Sequence, residues 1–307
     1  MGTPEFAVAS LEKLVSSSHK VVGVITAPDR PAGRGRKLRS SAVKTYAVSQ
    51  NIPVLQPTNL KDESFLLALE NLKADVQVVV AFRMLPKVVW AMPPKGTFNL
   101  HASLLPQYRG AAPINWAVIN KEKKSGVTTF FIDEKIDTGA IIASEEVILE
   151  EKETAGSLHD RLMDLGAQLV LETVRMISEG TITAIEQAPA EPLQKAPKLT
   201  TENTKIDWTC SGADIEAFIR GLSPYPSAWT TLYQNEERLT MKIYQARFVA
   251  GDATDSVKKV FSDKKSLYIT VKDGTLFIEE LQLPGKRKMR VQDLLNGFTF
   301  ENDAYVL

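Results

Sequence analysis

The stretch Lys20-Val21-Val22-Gly23-Val24-Ile25-Thr26-Ala27 constrains this chain more than any other. It is apolar almost without interruption, so it offers no wet face. A strand of that kind is covered on both sides, as strands are in parallel sheets sandwiched between helices. Its neighbours fit. Thr3-Pro4-Glu5 reads as a helix start: Thr3 can cap, Pro4 suits the first helical position and Glu5 favours the positive end of the dipole. Phe6, Leu11 and Leu14 then supply a buried face. A helix, a short strand over residues 52–55, a helix over 63–72 and a strand over 76–82 follow. Residues 96–100 and 127–132 are further strands, and 154–180 is a long helix with Thr154 as cap and Gly180 as stop. This alternation predicts a Rossmann-like, mostly parallel, doubly wound α/β sheet. Such a sheet places a strand of about five or six residues before the first helix. Without it, a row of backbone groups would go unpaired. The first strand is therefore expected to be missing from this chain, with Met1 an internal methionine.

Residues 187–200 carry three prolines, which neither a packed helix nor a central strand accepts. They are expected to link a catalytic domain over residues 1–186 to a C-terminal domain over 201–307. The latter shows a helix over 211–221 and short strands over 229–233, 241–248, 267–271 and 276–283, with turn signals at Asp273-Gly274 and Pro284-Gly285. That pattern suggests a small β-barrel. A length of 307 residues agrees with two domains. With 44% hydrophobic and 24% charged residues, the composition excludes a disordered, collagen-like or disulfide-rich chain. The longest apolar run falls far short of the ~20 residues that span a bilayer. The start lacks a signal-peptide pattern, and one cysteine, Cys210, makes neither an internal disulfide nor a cysteine zinc site. A cytoplasmic protein without membrane contact is expected. Basic and acidic residues number 37 each, so nucleic acid could be met only by a local patch.

The densest polar segment is Asn99 to Pro113. Asn99 and His101 end a predicted strand, and residues two apart on a strand share a face. In α/β sheets ligands gather at the carboxyl ends of strands. Asp137-Thr138-Gly139 follows the next strand. An amide, an imidazole and a carboxylate make a set suited to acyl transfer. Asn99 and protonated His101 could donate to a developing oxyanion, and Asp137 could hold His101 or a water. Spacing alone leaves open that His101, between Leu100 and Ala102, is a satisfied core histidine. His19 reads as an exposed loop residue and His159 as a helix-surface residue.

Asn99-Leu100-His101, Ser103-Leu104-Leu105-Pro106 and Asp137 before Gly139 resemble the folate-dependent formyltransferase family. The segments Gly2 to Ala7, Asp29 to Gly35, Tyr108 to Pro113 and Ile206-Asp207-Trp208 are similar to members acting on initiator methionyl-tRNA. The similarity runs over almost the whole chain. It implies that the formyl group of 10-formyltetrahydrofolate, the co-substrate, passes to the α-amino group of methionine on initiator tRNA, without a metal. Asn99, His101 and Asp137 fall on the catalytic positions. Ser103, Leu104, Leu105 and Pro106 match a folate-contacting segment, and Phe82, Arg83, Met84 and Leu85 a loop whose backbone faces the pterin. The family often has glycine near Arg83.

Arg30, Arg34, Arg36, Lys37, Arg39 and Lys44 stand against Asp29 alone in sixteen residues. Such a run can be a solvated face; near a strand end, with Gly33 and Gly35, it also suits phosphate contact. The resemblance implies that this loop wedges into the tRNA acceptor end, with Arg34 foremost. Gly33-Arg34-Gly35 lacks the third glycine and following helix of a dinucleotide fingerprint, which argues against a nicotinamide cofactor. The resemblance also implies that the C-terminal barrel is OB-like and touches tRNA. The chain is expected to act as a monomer. Rival readings are formyl transfer to a small amine, such as a nucleotide-linked amino sugar or glycinamide ribonucleotide, and a non-catalytic tRNA-binding module.

Overall fold

Helix α1 (Glu5–Val15) lays Phe6, Ala7, Leu11 and Leu14 against the interior. Pro4, not Thr3, is its N-cap, and no side chain caps it. The structure is a computed structural model that describes residues 1–32, 37–188, 192–252 and 257–307. It divides into two units, each built from several stretches of chain. The first comprises Met1–Gly110, Lys124–Ile148 and His159–Lys195; the second comprises Ala111–Lys123, Leu149–Leu158 and Ala196–Leu307.

In the first unit α1 is followed by β1 (Val24–Ile25), β2 (Arg30–Ala32), β3 (Lys37–Arg39), α2 (Ala42–Ser49), β4 (Val54–Leu55), α3 (Glu63–Asn71) and β5 (Gln77–Val80). Then come α4 (Lys87–Trp90), β6 (Thr97–His101), the short β7 (Arg109–Gly110), β8 (Lys124–Phe131) and β9 (Ile141–Ile148). Within the second unit's first stretch lies α5 (Pro113–Ile119), and α6 (Ala155–Glu179) and the short β10 (Lys195–Ala196) complete this part of the chain. β1 pairs with β4, and β5 with β6, in parallel. The direction changes at β6, which pairs antiparallel with β8, as does β8 with β9. Strand β9 escapes the hydrophobic pattern because its Ser144-Glu145-Glu146 centre is exposed at the sheet edge. Gly166 lets α6 approach β6: a Cβ there would lie 2.7 Å from Leu100.

Met1 and Gly2 stand between β1 and β5. The Gly2 amide donates to Ile25 O at 3.0 Å, Val80 N–H to Met1 O at 2.9 Å, and the Met1 amine to Val78 O at 2.6 Å. Beyond them opens a cavity of about 340 Å³, whose walls include Leu14, Val22, Val24, Leu72, Val78 and Ile177. Only Val24 and Ile25 of the long apolar run therefore lie in a ladder, because β4 on one side and Gly2 on the other are the partners they meet. Burial pushes the Met1 amine down to a pKa of about 5.

The second unit continues with α7 (Gly212–Leu222), β11 (Ala228–Gln234), β12 (Glu237–Ala250), β13 (Val260–Ser262), β14 (Leu267–Val271), β15 (Gly274–Gln282), β16 (Met289–Arg290), α8 (Val291–Leu295) and β17 (Tyr305–Val306). The sheet runs β13-β14-β15-β12-β11-β17, with β16 beside β15. Val260 N–H donates to Ala304 O at 2.9 Å and Val306 N–H to Lys258 O at 3.0 Å, so the sheet nearly closes into a barrel. Alternate strand residues such as Leu232, Met241 and Ile243 point inward and form one core with Ile215, Ile219 and Leu222 of α7. Outside, Phe261, Tyr268, Phe277 and Arg247 stand in register on four strands. The Phe261 and Tyr268 rings stack at 5.3 Å, and Arg247 covers Phe277 at 4.8 Å. Cross-strand contacts of this sort hold the register of an antiparallel sheet.

Candidate active site

Asn99 and His101 lie on β6, whose parallel neighbour is β5 in the register Val79↔Asn99. The segment Phe82 to Leu85 leaves the carboxyl end of β5, and Ser103 to Pro106 that of β6. The sheet thus delivers both to one end, where open α/β sheets hold ligands. Asp137 arrives differently. Its loop follows β8, which runs against β6, and folds back until the carboxylate Oδ2 lies 3.9 Å from His101 Nδ1. Gly139 makes this path possible, since a Cβ there would fall 1.7 Å from Phe131 O.

His101 is buried, at 6% exposure. Its Nε2 lies 2.8 Å from Tyr108 O. A carbonyl only accepts, so Nε2 carries a proton in that contact and Nδ1 is the nitrogen turned to Asp137. Gly110 N–H donates to the same Asp137 Oδ2 at 3.0 Å. Tyr108 and Asp137 sit at φ +59° and +56°, a region costly for residues with side chains and held only where surroundings demand it. Asn99 is half-buried, and among the described residues its side-chain amide has no hydrogen-bond partner. The three groups proposed from sequence therefore meet on one side of β6.

Tyr108, Arg109 and Gly110 fall in a segment the sequence singles out without a role for each, and nothing in the sequence points to Gln187. The Gln187 amide donates to Asp137 O at 3.0 Å and Gly139 O at 2.8 Å. Its oxygen accepts from Arg109 Nε at 3.1 Å and Nη2 at 2.6 Å. Arg109 and Gln187, with Asp133, Lys135, Thr138 and Leu193, line a cavity of about 550 Å³.

The turn after β6 is fastened to β8 through Thr128, whose hydroxyl donates to Ser103 O at 2.7 Å and accepts from Leu105 N–H at 3.2 Å. Ser103 Oγ donates to Gln107 O at 2.6 Å. Leu104 rests on Gly126, where a Cβ would lie 2.5 Å from Leu104 Cδ2. In the other segment Leu85 is buried in the core with Ile25, Val79 and Val89. Phe82 packs at its margin. Met84 is 67% exposed. Arg83 answers part of the question its replacement of glycine raises: it donates to Thr58 O at 2.9 Å and to Pro57 O, and covers Phe82 at 5.6 Å. It thereby ties the loop after β5 to the loop after β4.

Within the basic loop β2 pairs antiparallel with β3, with Arg30 directly opposite Arg39 and Pro31 opposite Leu38. Arg30 and Arg39 are exposed, and Leu38 is 71% exposed. Arg34 and Arg36 lie outside the described residues, and Lys37 enters only through its backbone. Lys44 is an anchor: its Nζ meets Asp29 Oδ2 at 2.6 Å, while Gln56 donates to Asp29 Oδ1 at 2.9 Å. These hydrogen bonds hold the Asp29 carboxyl below the usual range.

Residues 1–174 match the family model described as formyl transferase, and residues 198–299 match formyl transferase, C-terminal domain. The chain belongs to the formyl transferase family. A methionyl-tRNA formyltransferase of Flavobacterium johnsoniae is 56% identical over 306 residues, covering 100% of this chain and 97% of that protein. One of Bacteroides thetaiotaomicron is 51% identical over 310 residues, covering 99% and 96%. Among solved structures, the N-formyltransferase of Helicobacter canadensis, in complex with folinic acid and dTDP-3-aminofucose, aligns with a TM-score of 0.65 at 22% identity over 90% of this chain and 96% of that one. That likeness speaks for the fold alone.

Proposed function

We propose that this chain transfers the formyl group of 10-formyltetrahydrofolate to the α-amino group of methionine on initiator tRNA, as a cytoplasmic monomer. The observation that carries the chemistry is the fixed imidazole of His101, with Nε2 bound to Tyr108 O and Nδ1 facing Asp137 beside the amide of Asn99. The amine attacks the formyl carbon, and negative charge grows on the formyl oxygen. Asn99 donates to it, and so does His101 through Nδ1–H once Nδ1 has taken the amine's proton, each such donor contributing roughly 100- to 1000-fold. The amine must lose a proton and the departing folate nitrogen must gain one. Nδ1 of His101, with Asp137 against it, is placed to mediate that transfer, directly or through one water. Ser103 to Pro106 and the backbone of Phe82 to Leu85 would hold the folate, a flat ring needing matched polar edges and apolar cover. All three reacting groups come from one unit of one chain, which is consistent with action as a monomer. Among the described residues no helix is long and apolar enough to cross a membrane, and no group of three or more potential metal ligands gathers.

The tRNA substrate is favoured by the 56% and 51% identical relatives and by the β2–β3 pair. Like charges directly opposite each other in a ladder are unfavourable, so Arg30 facing Arg39 suits a site completed by phosphates. The test is formyl transfer with initiator Met-tRNA, elongator Met-tRNA and a dTDP-linked amino sugar as acceptors. Transfer to initiator tRNA supports the reading; transfer to the sugar alone refutes it.

A further inference from the structure

Three consecutive residues hold the site, each through a different group. Tyr108 O fixes His101 Nε2 at 2.8 Å. The Arg109 guanidinium grips Gln187 through two N–H groups at 3.1 and 2.6 Å. Gly110 N–H holds the Asp137 carboxylate at 3.0 Å. Gln187 closes the circuit by donating to the main-chain oxygens of Asp137 and Gly139, at 3.0 and 2.8 Å. Its amide capacity is then spent: two N–H groups on two carbonyls, two lone-pair positions on one guanidinium. Asp137 is thus gripped at both ends, by Gly110 on its side chain and by Gln187 on its main chain. It needs that grip, because its φ of +56° persists only when neighbours impose it.

We infer that Gln187, oriented by Arg109, is a positioning residue that sets the Asp137 carboxylate against His101 Nδ1. The inference rests on the formyl-transfer reading above for its role in catalysis, though the clamp itself does not. Only an amide meets both demands. A carboxylate at position 187 keeps the size and the Arg109 contact but turns an oxygen towards two carbonyl oxygens. A small displacement of a reacting group costs up to about 100-fold in rate. Gln187→Glu is therefore expected to lower kcat about 10- to 100-fold with KM for folate and tRNA nearly unchanged. In an Asp137→Asn background the same substitution should cost less than about threefold, because residues acting through one another are not additive.

The experiment is this double-mutant cycle, with thermal melting to confirm folding and Arg109→Lys as a second variant that keeps the charge and loses the paired contact. It is joined by the ¹⁵N resonance of His101 Nδ1, which reports the adjacent carboxylate without substrate. Gln187→Glu should move that resonance in the direction that Asp137→Asn moves it. Equal kcat losses in both backgrounds, a KM effect without a kcat effect, or a resonance moved only by Asp137→Asn would each overturn the inference. Should Gln187→Glu fail to fold, the same criteria apply to Arg109→Lys. If the unaltered enzyme transfers no formyl group, the functional reading fails, and the resonance still decides the clamp.

Discussion

A chain whose amino terminus is Met1 takes from that amine a pH dependence whose size follows from its burial. Its nitrogen lies against Val78 O at 2.6 Å, and burial lowers its pKa from 8.0 to about 5. Between those values the unfolded chain holds a proton that the folded chain does not, so stability rises with pH across the window and is flat in this respect outside it. Three units at 1.36 kcal/mol each give a full span of about 4 kcal/mol, of which about 2 kcal/mol falls between pH 8 and pH 6. The assay is urea unfolding followed by tryptophan fluorescence at both pH values, on the chain beginning at Met1 and on the same chain Nα-acetylated. Acetylation keeps one N–H for Val78 O, removes the titration and leaves every other titrating group in common. The acetylated chain should lose about 2 kcal/mol less on acidification. Equal losses in the two chains would refute the argument.

His101→Ala should cut turnover about 100-fold or more while folate binding, measured by fluorescence quenching, survives; unchanged turnover would remove His101 from the mechanism. Replacing both Arg30 and Arg39 by alanine should reduce the slope of log affinity for tRNA against log salt by about two, one for each phosphate contact, and an unaltered slope would detach the β2–β3 pair from RNA. Four or five valine or isoleucine residues joined ahead of Met1 should enter the cavity between β1 and β5. They should raise the melting temperature, since each buried apolar side chain contributes about 1.5–3 kcal/mol; an unchanged or lower value would mean that the cavity does not accept a strand.

Elements with one dominant period were readable from residues alone. Strand β14 ends where its alternation ends, at Leu267 and Val271, and α7 begins after Ser211, whose hydroxyl accepts from Asp214 N–H. Strand β1 was overread, because an apolar run records what covers a strand and not whether a partner lies beside it. Strand β9 was missed for the opposite reason, its edge position allowing glutamates outward. In the site, Asn99 and His101 stand out because strand periodicity places them together. Tyr108 and Gly110 lie in a segment that the sequence marks, but they act through a main-chain carbonyl and N–H, so side-chain pattern gives neither a role. Gln187 reaches Asp137 across 50 positions, a contact created only by folding. Counting charges likewise could not separate Lys44, bound to Asp29, from Arg30 and Arg39.

The cavity beside Met1 also decides where the first unit loosens. An ordinary sheet frays at its outer strands, while its central amides exchange with solvent only on global unfolding. Here β1 and β5 are joined through Met1 and Gly2, with about 340 Å³ of cavity beside them. Breaking those few bonds and the Arg83 contacts to Pro57 O and Thr58 O, and parting the core that Ile25 shares with Val79, separates β1 and β4 from β5, β6, β8 and β9 with each ladder intact. Amides of the middle of this sheet, Gly2 and Val80 first, should then exchange deuterium sooner than those of β8. The carboxyl ends that carry the β2–β3 pair and the His101 site lie on opposite sides of that seam, so the fold provides a line along which the two part while both ladders persist.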